Sequence, residues 1–129
     1  MGVKERLANE LRQAPAAVAA VYLFGSQARG DARSDSDIDV AVLLSGSGNG
    51  GLVGPLSDLS GRLERALGRT VDLIDLRSAP PDLVHRVLRD GELVLDRDPD
   101  KRVAFEVRSR NEYFDLLPHL ERYRGHRAA

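Results

Sequence analysis

Two apolar runs joined by a short polar segment are the feature that most constrains what this chain can fold into. The first run, residues 18–24, is followed by a Gly-Ser pair, and the second, residues 37–44, opens with an Asp-x-Asp sequence. Ten residues lie between Ser26 and Asp37. Both runs have the length and composition of buried strands. The sequence therefore predicts two strands whose polar ends face a common connection.

The composition is that of a small globular domain. The chain has 129 residues, of which 42% are hydrophobic and 30% charged, so we expect one domain with one core over residues 1–129. It has no cysteine, which excludes disulfides and thiolate metal sites. A net charge of -1 gives no overall basic field, so direct nucleic-acid binding is not expected. Since neither a membrane span nor a signal peptide is recognisable, we expect no membrane association and a cytoplasmic location.

Apolar periodicity predicts the remaining elements. Residues 45–54 are rich in glycine and serine and are expected to form a flexible loop. In chain order we predict helix 3–13, strand 18–24, one helical turn 26–30 capped by Ser26, strand 37–44, helix 55–67, strand 70–76, a short helix opening at Pro80-Pro81, an edge strand 92–96, and a helix 99–123 kinked at Pro118. This order indicates a small mixed α/β domain, with a sheet flanked by helices.

Several aspartates are spaced to act together. Asp37 and Asp39 lie two positions apart on a strand, so both side chains project from one face. Neighbouring carboxylates repel each other unless a cation lies between them, and Mg²⁺ is commonly held by one or two carboxylates together with substrate phosphates. A third acid is expected where a hydroxyl is activated. Asp72 and Asp75 face opposite sides of the third strand, so only one can join the pair, and we favour Asp72, which is flanked by apolar residues.

The Gly-Ser pair provides groups that suit phosphate. Gly25 allows a sharp turn and a close approach of phosphate to the backbone. Ser26 offers a hydroxyl at the start of the predicted helical turn, whose first N–H groups point to the same place. Arg29 and Arg33 are placed to neutralise a triphosphate. Together with the aspartates, these residues predict a nucleoside triphosphate bound through metal ions.

These residues resemble the nucleotidyltransferase superfamily related to DNA polymerase β. Its signature is a helical turn with Gly-Ser, then Asp-x-Asp, then a third acid on a later strand, and the resemblance here covers residues 18–76. The short chain is similar to the minimal nucleotidyltransferases, the MNT proteins. The resemblance implies a polymerase β-like fold, ATP as substrate and two Mg²⁺ ions. Carried over by position, the triphosphate would be bound by Gly25 and Ser26 with Arg29 nearby, and the catalytic, metal-binding acids would be Asp37, Asp39 and Asp72.

Beyond this core, residues 71–81 and the tail from Arg97 to Tyr123 are similar to the MntA-type antitoxins, which are paired with HEPN-domain toxins. This resemblance implies transfer of AMP from ATP to a tyrosine of a cognate HEPN toxin, with attack at the α-phosphate and release of pyrophosphate. A hetero-oligomer with that toxin is then expected. Two alternatives remain open: an antitoxin that neutralises its toxin by binding alone, and a nucleotidyltransferase with another hydroxyl acceptor.

Other signals in the sequence are weaker. A Gly-x-Gly-x-x-Gly sequence at 46–51 matches the dinucleotide-binding pattern, but the predicted helix does not open at its third glycine, so we interpret it as loop. The three histidines lack metal-ligand spacing and are interpreted as surface or packing residues. In the last helix we expect Val107, Phe114 and Leu117 to pack in the core, and the other apolar residues are candidates for a partner surface. The basic residues 122–127 are expected to be a frayed, solvated end.

Overall fold

The computed structural model describes residues 2–25, 37–45 and 53–128; for residues 53–55 and 123–128 only the backbone is described. These parts of the chain form helices and strands in the predicted order. The helices are α1 (Val3–Leu11), α2 (Val53–Leu67), α3 (Pro81–Asp90) and α4 (Pro99–Ala128). The strands are β1 (Val18–Phe24), β2 (Ile38–Leu44), β3 (Val71–Asp75) and β4 (Glu92–Asp96).

The strands form a mixed sheet in the order β3-β2-β1-β4. β1 is antiparallel to both β2 and β4, whereas β2 is parallel to β3. β1 and β2 lie in the middle of the sheet, and nearly all of their residues are buried. This burial on both faces explains why each strand reads as an unbroken apolar run and not as an alternation. β4 lies at one edge of the sheet, as predicted.

Helices cover both faces of the sheet. One face carries α1 and α2, whose leucines recur every third or fourth residue and so form one apolar stripe on each helix. The other face carries α3 and the first turns of α4. The buried apolar residues of the helices are Leu7, Leu11, Leu59, Leu63 and Leu67 on the first face, and Val84, Val87 and Phe105 on the second. A mixed sheet between two helical layers confirms the predicted α/β class. No helix in the described parts of the chain is long and apolar enough to cross a membrane.

Some element boundaries differ from the predicted ones. α2 already begins at Val53, within the predicted loop, and β2 begins at Ile38, which leaves Asp37 just before the strand. α4 continues through Pro118 to Ala128, although proline removes one intrahelical hydrogen bond, so the backbone of the expected frayed end is helical. The predicted helical turn 26–30 and the glycine pattern 46–51 lie outside the described residues.

The predicted core packing of α4 is wrong for two residues. Val107 is 48% exposed and Phe114 is 59% exposed, whereas Phe105 is only 6% exposed. Leu117 is half-buried. α4 turns the side that carries Phe105 and Ser109 towards the sheet. Because apolar residues occur on several sides of this helix, periodicity alone does not select the buried stripe.

Candidate active site

Strand pairing brings two of the predicted acids together. β2 and β3 are parallel, and Asp39 is the direct partner of Asp72 across the two strands. Neighbouring strands lie about 4.8 Å apart, so paired residues project side by side from one face. Asp39 is half-buried and Asp72 is exposed. The two carboxylates are therefore neighbours that a solvent-borne ligand can reach.

Both carboxylates line a cleft of about 390 Å³, a volume typical of small-molecule sites. The end of β1, the face of β3 and the second half of α3 form its walls. Besides the two aspartates, the lining residues are Phe24, Gly25, Ile74, Leu83, Arg86 and Asp90. The cleft thus combines apolar surface with carboxylates and a guanidinium group.

Gly25 occupies the turn at the end of β1, beside Asp39. Its φ angle is 72°, in the left-handed region that favours glycine. A Cβ atom at this position would overlap Oδ2 of Asp39. The site therefore requires glycine twice, for the backbone conformation and for the space that the Asp39 carboxylate occupies.

Asp37, the third predicted acid, precedes β2, is exposed, and is not among the described residues that line the cleft. Within the described residues, no group of three or more His, Asp or Glu side chains is arranged to hold a metal ion. The Asp39–Asp72 pair by itself fits a Mg²⁺ ion whose other ligands are phosphate oxygens and water. The other predicted phosphate ligands, Ser26, Arg29 and Arg33, lie outside the described residues.

Asp75 is not part of the cleft. It accepts a hydrogen bond of 2.9 Å from the backbone N–H of Arg77, and its Oδ2 lies 3.4 Å from Nη2 of the same residue. Asp75 is paired with Val42 across the strands, three positions beyond the Asp39–Asp72 pair. As the alternation of a strand requires, only Asp72 of the two joins Asp39.

Arg86 is a cleft residue that the sequence analysis missed. It lies on α3, one helical turn from Leu83 and from Asp90, which line the same cleft. Its side chain is exposed. Its positive charge, in the same cleft as the two carboxylates, suits a phosphate that a metal ion links to those carboxylates. The signal available in the sequence was the three-and-four spacing of these residues along the helix that follows the third acid.

A polar network holds α4 against the sheet beside the site. The hydroxyl of Tyr22, on β1, donates a 2.6 Å hydrogen bond to Oε1 of Glu106. Arg102 donates to the same oxygen at 3.1 Å, and its Nε lies 3.0 Å from Oδ2 of Asp96. Burial, followed by the hydrogen bond to Glu106, raises the pKa of Tyr22 well above its usual value. Tyr22 therefore stays protonated at neutral pH and acts as a structural donor.

Comparison with known proteins places this chain in a family. A family model described as "Polymerase beta, Nucleotidyltransferase" matches residues 5–100, which include the sheet, the aspartate pair and α3. The chain belongs to this nucleotidyltransferase family. The match confirms the predicted superfamily and enzyme class, and it agrees with the polymerase β-like fold inferred from the Gly-Ser and Asp-x-Asp residues.

Relatives of this nucleotidyltransferase are known by sequence and by structure. Protein adenylyltransferase MntA of Shewanella oneidensis is 34% identical over 98 residues, which make up 74% of this chain and 66% of that protein, just under two thirds of its length. A crystal structure of a toxin–antitoxin with AMP-PNP matches with a TM-score of 0.80 and 28% identity, over 98% of each chain. A complex of tri-AMPylated Shewanella oneidensis HEPN toxin with MNT antitoxin matches with a TM-score of 0.75 and 26% identity, over 98% of this chain and 97% of that chain.

Proposed function

We propose that this chain is a Mg²⁺-dependent protein adenylyltransferase that transfers AMP from ATP to a tyrosine of a cognate HEPN toxin and thereby acts as its antitoxin. The observation that carries the proposal is the Asp39–Asp72 pair, held in register beside the Gly25 turn. Phosphoryl transfer depends mainly on positioning and on neutralising charge around the phosphate. The paired carboxylates would hold the metal ions that neutralise this charge, and the glycine turn lets the phosphate approach them.

The relatives support the nucleotide and the partner. The Shewanella relative is named a protein adenylyltransferase. One similar structure contains AMP-PNP, an ATP analogue, and another contains a HEPN toxin that carries AMP. Both similar chains align over 98% of this one, so the likeness includes α4 as well as the cleft. These findings favour ATP and a HEPN toxin as the substrates of this chain.

In the proposed reaction, one group of residues around the cleft contacts the triphosphate and a second group binds the metal ions. Gly25 lets the triphosphate approach the end of β1, and Ser26 and Arg29 are the predicted phosphate contacts. Asp39 and Asp72, with Asp37, would hold the two expected Mg²⁺ ions. When bound, these ions supply positive charge to the phosphates and lower the pKa of the attacking hydroxyl.

The chemistry is an in-line displacement at the α-phosphorus of ATP. The tyrosine oxygen forms a bond to this phosphorus while the bond to the oxygen between the α- and β-phosphates breaks, and pyrophosphate leaves. The Asp72 carboxylate accepts the hydroxyl proton. Asp72 suits this role because it is the more exposed of the two paired acids, and an incoming side chain can reach it.

A second candidate function is neutralisation of the toxin by binding alone. It is favoured by Val103, Val107 and Phe114, which are 47%, 48% and 59% exposed. Their spacing places them within one stripe along α4. An exposed apolar stripe is typical of a protein contact, and the HEPN toxin is the partner that the similar complexes contain. In this candidate the aspartate pair is not needed for neutralisation.

The experiment that tests the proposal is transfer of label from α-³²P-ATP to the product of the neighbouring gene, in the presence of Mg²⁺. The wild-type chain is compared with the Asp37→Asn/Asp39→Asn variant. Label on a toxin tyrosine that is lost with the variant supports the proposal. A stable complex without label supports the binding candidate, and label on a different hydroxyl shows that the acceptor is not a tyrosine.

A further inference from the structure

A second concave site lies beside the cleft, between α3 and α4. It has a volume of about 430 Å³ and is lined by Asp82, His85, Arg86, Arg89 and Tyr113. We call this site the α3–α4 hollow. Arg86 lines both the hollow and the cleft that holds the aspartate pair. A ligand in the hollow therefore lies next to the centre of the proposed reaction.

Two stacked rings form one wall of the hollow. The ring centroids of His85 and Tyr113 are 3.7 Å apart, and the ring planes differ by 3°. Phe114 contacts Tyr113 edge-to-face at 5.9 Å, which supports the second ring. His85 and Tyr113 are both half-buried, so part of each ring remains open to solvent. Planar bases bind to such preformed aromatic surfaces by stacking.

The other wall carries positive charge. The guanidinium group of Arg86 makes no hydrogen bond or ion pair with the side chains and backbone that the structure describes. Arg89 is largely exposed and pairs with the adjacent Asp90 at 2.8 Å. Asp82 is the one acid among the five lining residues. Guanidinium groups bind phosphate oxygens through paired N–H donors, so the hollow suits a ligand that combines an aromatic base with a phosphate.

We propose that the α3–α4 hollow binds an adenosine 5′-phosphate group, with its base on the part of the stacked His85–Tyr113 pair that remains open to solvent and its phosphate at Arg86 and Arg89. The inference rests on the proposed AMP transfer, because that reaction provides such a group from two sources. One source is ATP before the transfer, and the other is AMP that has been joined to the acceptor tyrosine. Both present the same base and phosphate to the hollow.

Binding measurements on the full chain distinguish these sources. Isothermal titration calorimetry is carried out with three probes: ATP with Mg²⁺, adenylylated tyrosine, and ribose 5-phosphate, which has no base. The variants are Tyr113→Leu, which removes the aromatic ring, and Arg89→Gln, which removes a charge from an exposed side chain. Arg65→Ala, an exposed arginine of α2 on the other face of the sheet, is the matched control.

The hollow predicts a distinct result for each probe. Tyr113→Leu raises the Kd of the adenylate that occupies the hollow about fivefold or more, and leaves that of ribose 5-phosphate unchanged. A higher Kd for ATP identifies the incoming nucleotide as the ligand of the hollow. A higher Kd for adenylylated tyrosine identifies the AMP that has been joined to the acceptor as the ligand. Arg89→Gln weakens the binding of the same adenylate, whereas Arg65→Ala leaves its Kd unchanged. Unchanged Kd values for both adenylates in folded Arg89→Gln and Tyr113→Leu would overturn the proposal.

The binding measurements do not depend on whether the chain transfers AMP. If the wild-type chain labels no toxin but Tyr113→Leu still weakens an adenylate, the proposed reaction fails and the site stands. If labelling proceeds normally in both hollow variants and neither adenylate binds less tightly, the site fails and the reaction stands.

Discussion

Three aspartates of the same chemistry occupy three different surroundings in this chain. Asp39 lies half-buried between the Gly25 turn and β3, and Asp72 lies exposed at its side. Asp75, three residues further along β3, is bonded to Arg77. Asp39 and Asp72 project from one face of the sheet, and Asp75 projects from the other. At the scale of the residue, the proposed site therefore depends on strand alternation and on one glycine.

Substitution of Gly25 tests the space beside Asp39. In Gly25→Ala the new Cβ atom would displace the Asp39 carboxylate, and the positive φ angle becomes strained. We expect AMP transfer to fall at least about tenfold and stability to fall by about 1–2 kcal/mol. Gly68→Ala is the matched control, because Gly68 has a φ angle of 67° but open space around its Cβ position. It should lose similar stability and keep transfer; equal loss of activity in both variants would refute the role of Gly25.

Metal binding at the aspartate pair has a thermodynamic signature. Asp39→Asn removes one of the two paired carboxylates, and with it a ligand of the expected ion. Saturation with Mg²⁺ at about 100 times its Kd should stabilise the wild type by about 2.7 kcal/mol and the variant by much less. Thermal unfolding with and without Mg²⁺ measures both values. Asp75→Asn should be stabilised by Mg²⁺ as much as the wild type is. Equal stabilisation of Asp39→Asn by Mg²⁺ would contradict a metal ion at this pair.

At the scale of the elements, the described side chains of α4 anchor it to the sheet in two ways. Phe105 is the apolar side chain among them that is buried against the sheet, and the adjacent Glu106 joins Tyr22 and Arg102 in a polar network. The remaining turns expose Val107 and Phe114. The helix thus presents two functions on two sides: anchoring on one and apolar surface on the other.

The two phenylalanines of α4 should differ in their effect on stability. Phe105→Ala leaves a cavity in the core and should reduce the free energy of unfolding by about 3–5 kcal/mol. Phe114→Ala removes an exposed ring and should change it by about 0.5 kcal/mol or less. Denaturant unfolding of both variants gives the comparison. A large loss for Phe114→Ala would show that α4 packs on its other side.

The raised pKa of Tyr22 predicts a loss of stability in alkali. Between the usual tyrosine pKa of about 10 and the higher folded value, the unfolded chain loses the proton and the folded chain keeps it, so stability falls by up to about 1.4 kcal/mol per pH unit. Below pH 9 this contribution is constant. In Tyr22→Phe the additional alkaline slope should disappear, together with the hydrogen bond to Glu106. Denaturant unfolding from pH 7 to pH 11 measures it, and an unchanged slope would contradict the role assigned to Tyr22.

At the scale of the whole molecule, one part of the site could be predicted and another could not. The Gly-Ser and Asp-x-Asp residues follow from local spacing, and strand alternation already required that Asp72 and Asp75 face opposite ways. Asp39 lies directly beside Asp72 because of the register in which β2 pairs with β3. That register depends on how the two strands pack under the helices, which no local sequence pattern encodes. Arg86 and the α3–α4 hollow arise from the contact between two helices distant in sequence. The predicted single domain over 1–129 stays a prediction.

The most direct test of the account is AMP transfer by Asp72→Asn beside Asp75→Asn, with the same toxin, ATP and Mg²⁺. These two acids lie on one strand and differ mainly in the face from which they project. Loss of the proton acceptor and metal ligand should reduce the rate with Asp72→Asn by about 10²–10⁴-fold, whereas folded Asp75→Asn should transfer AMP close to the wild-type rate. Full activity of Asp72→Asn, or loss confined to Asp75→Asn, would contradict the assignment of the Asp39–Asp72 pair as the reacting centre.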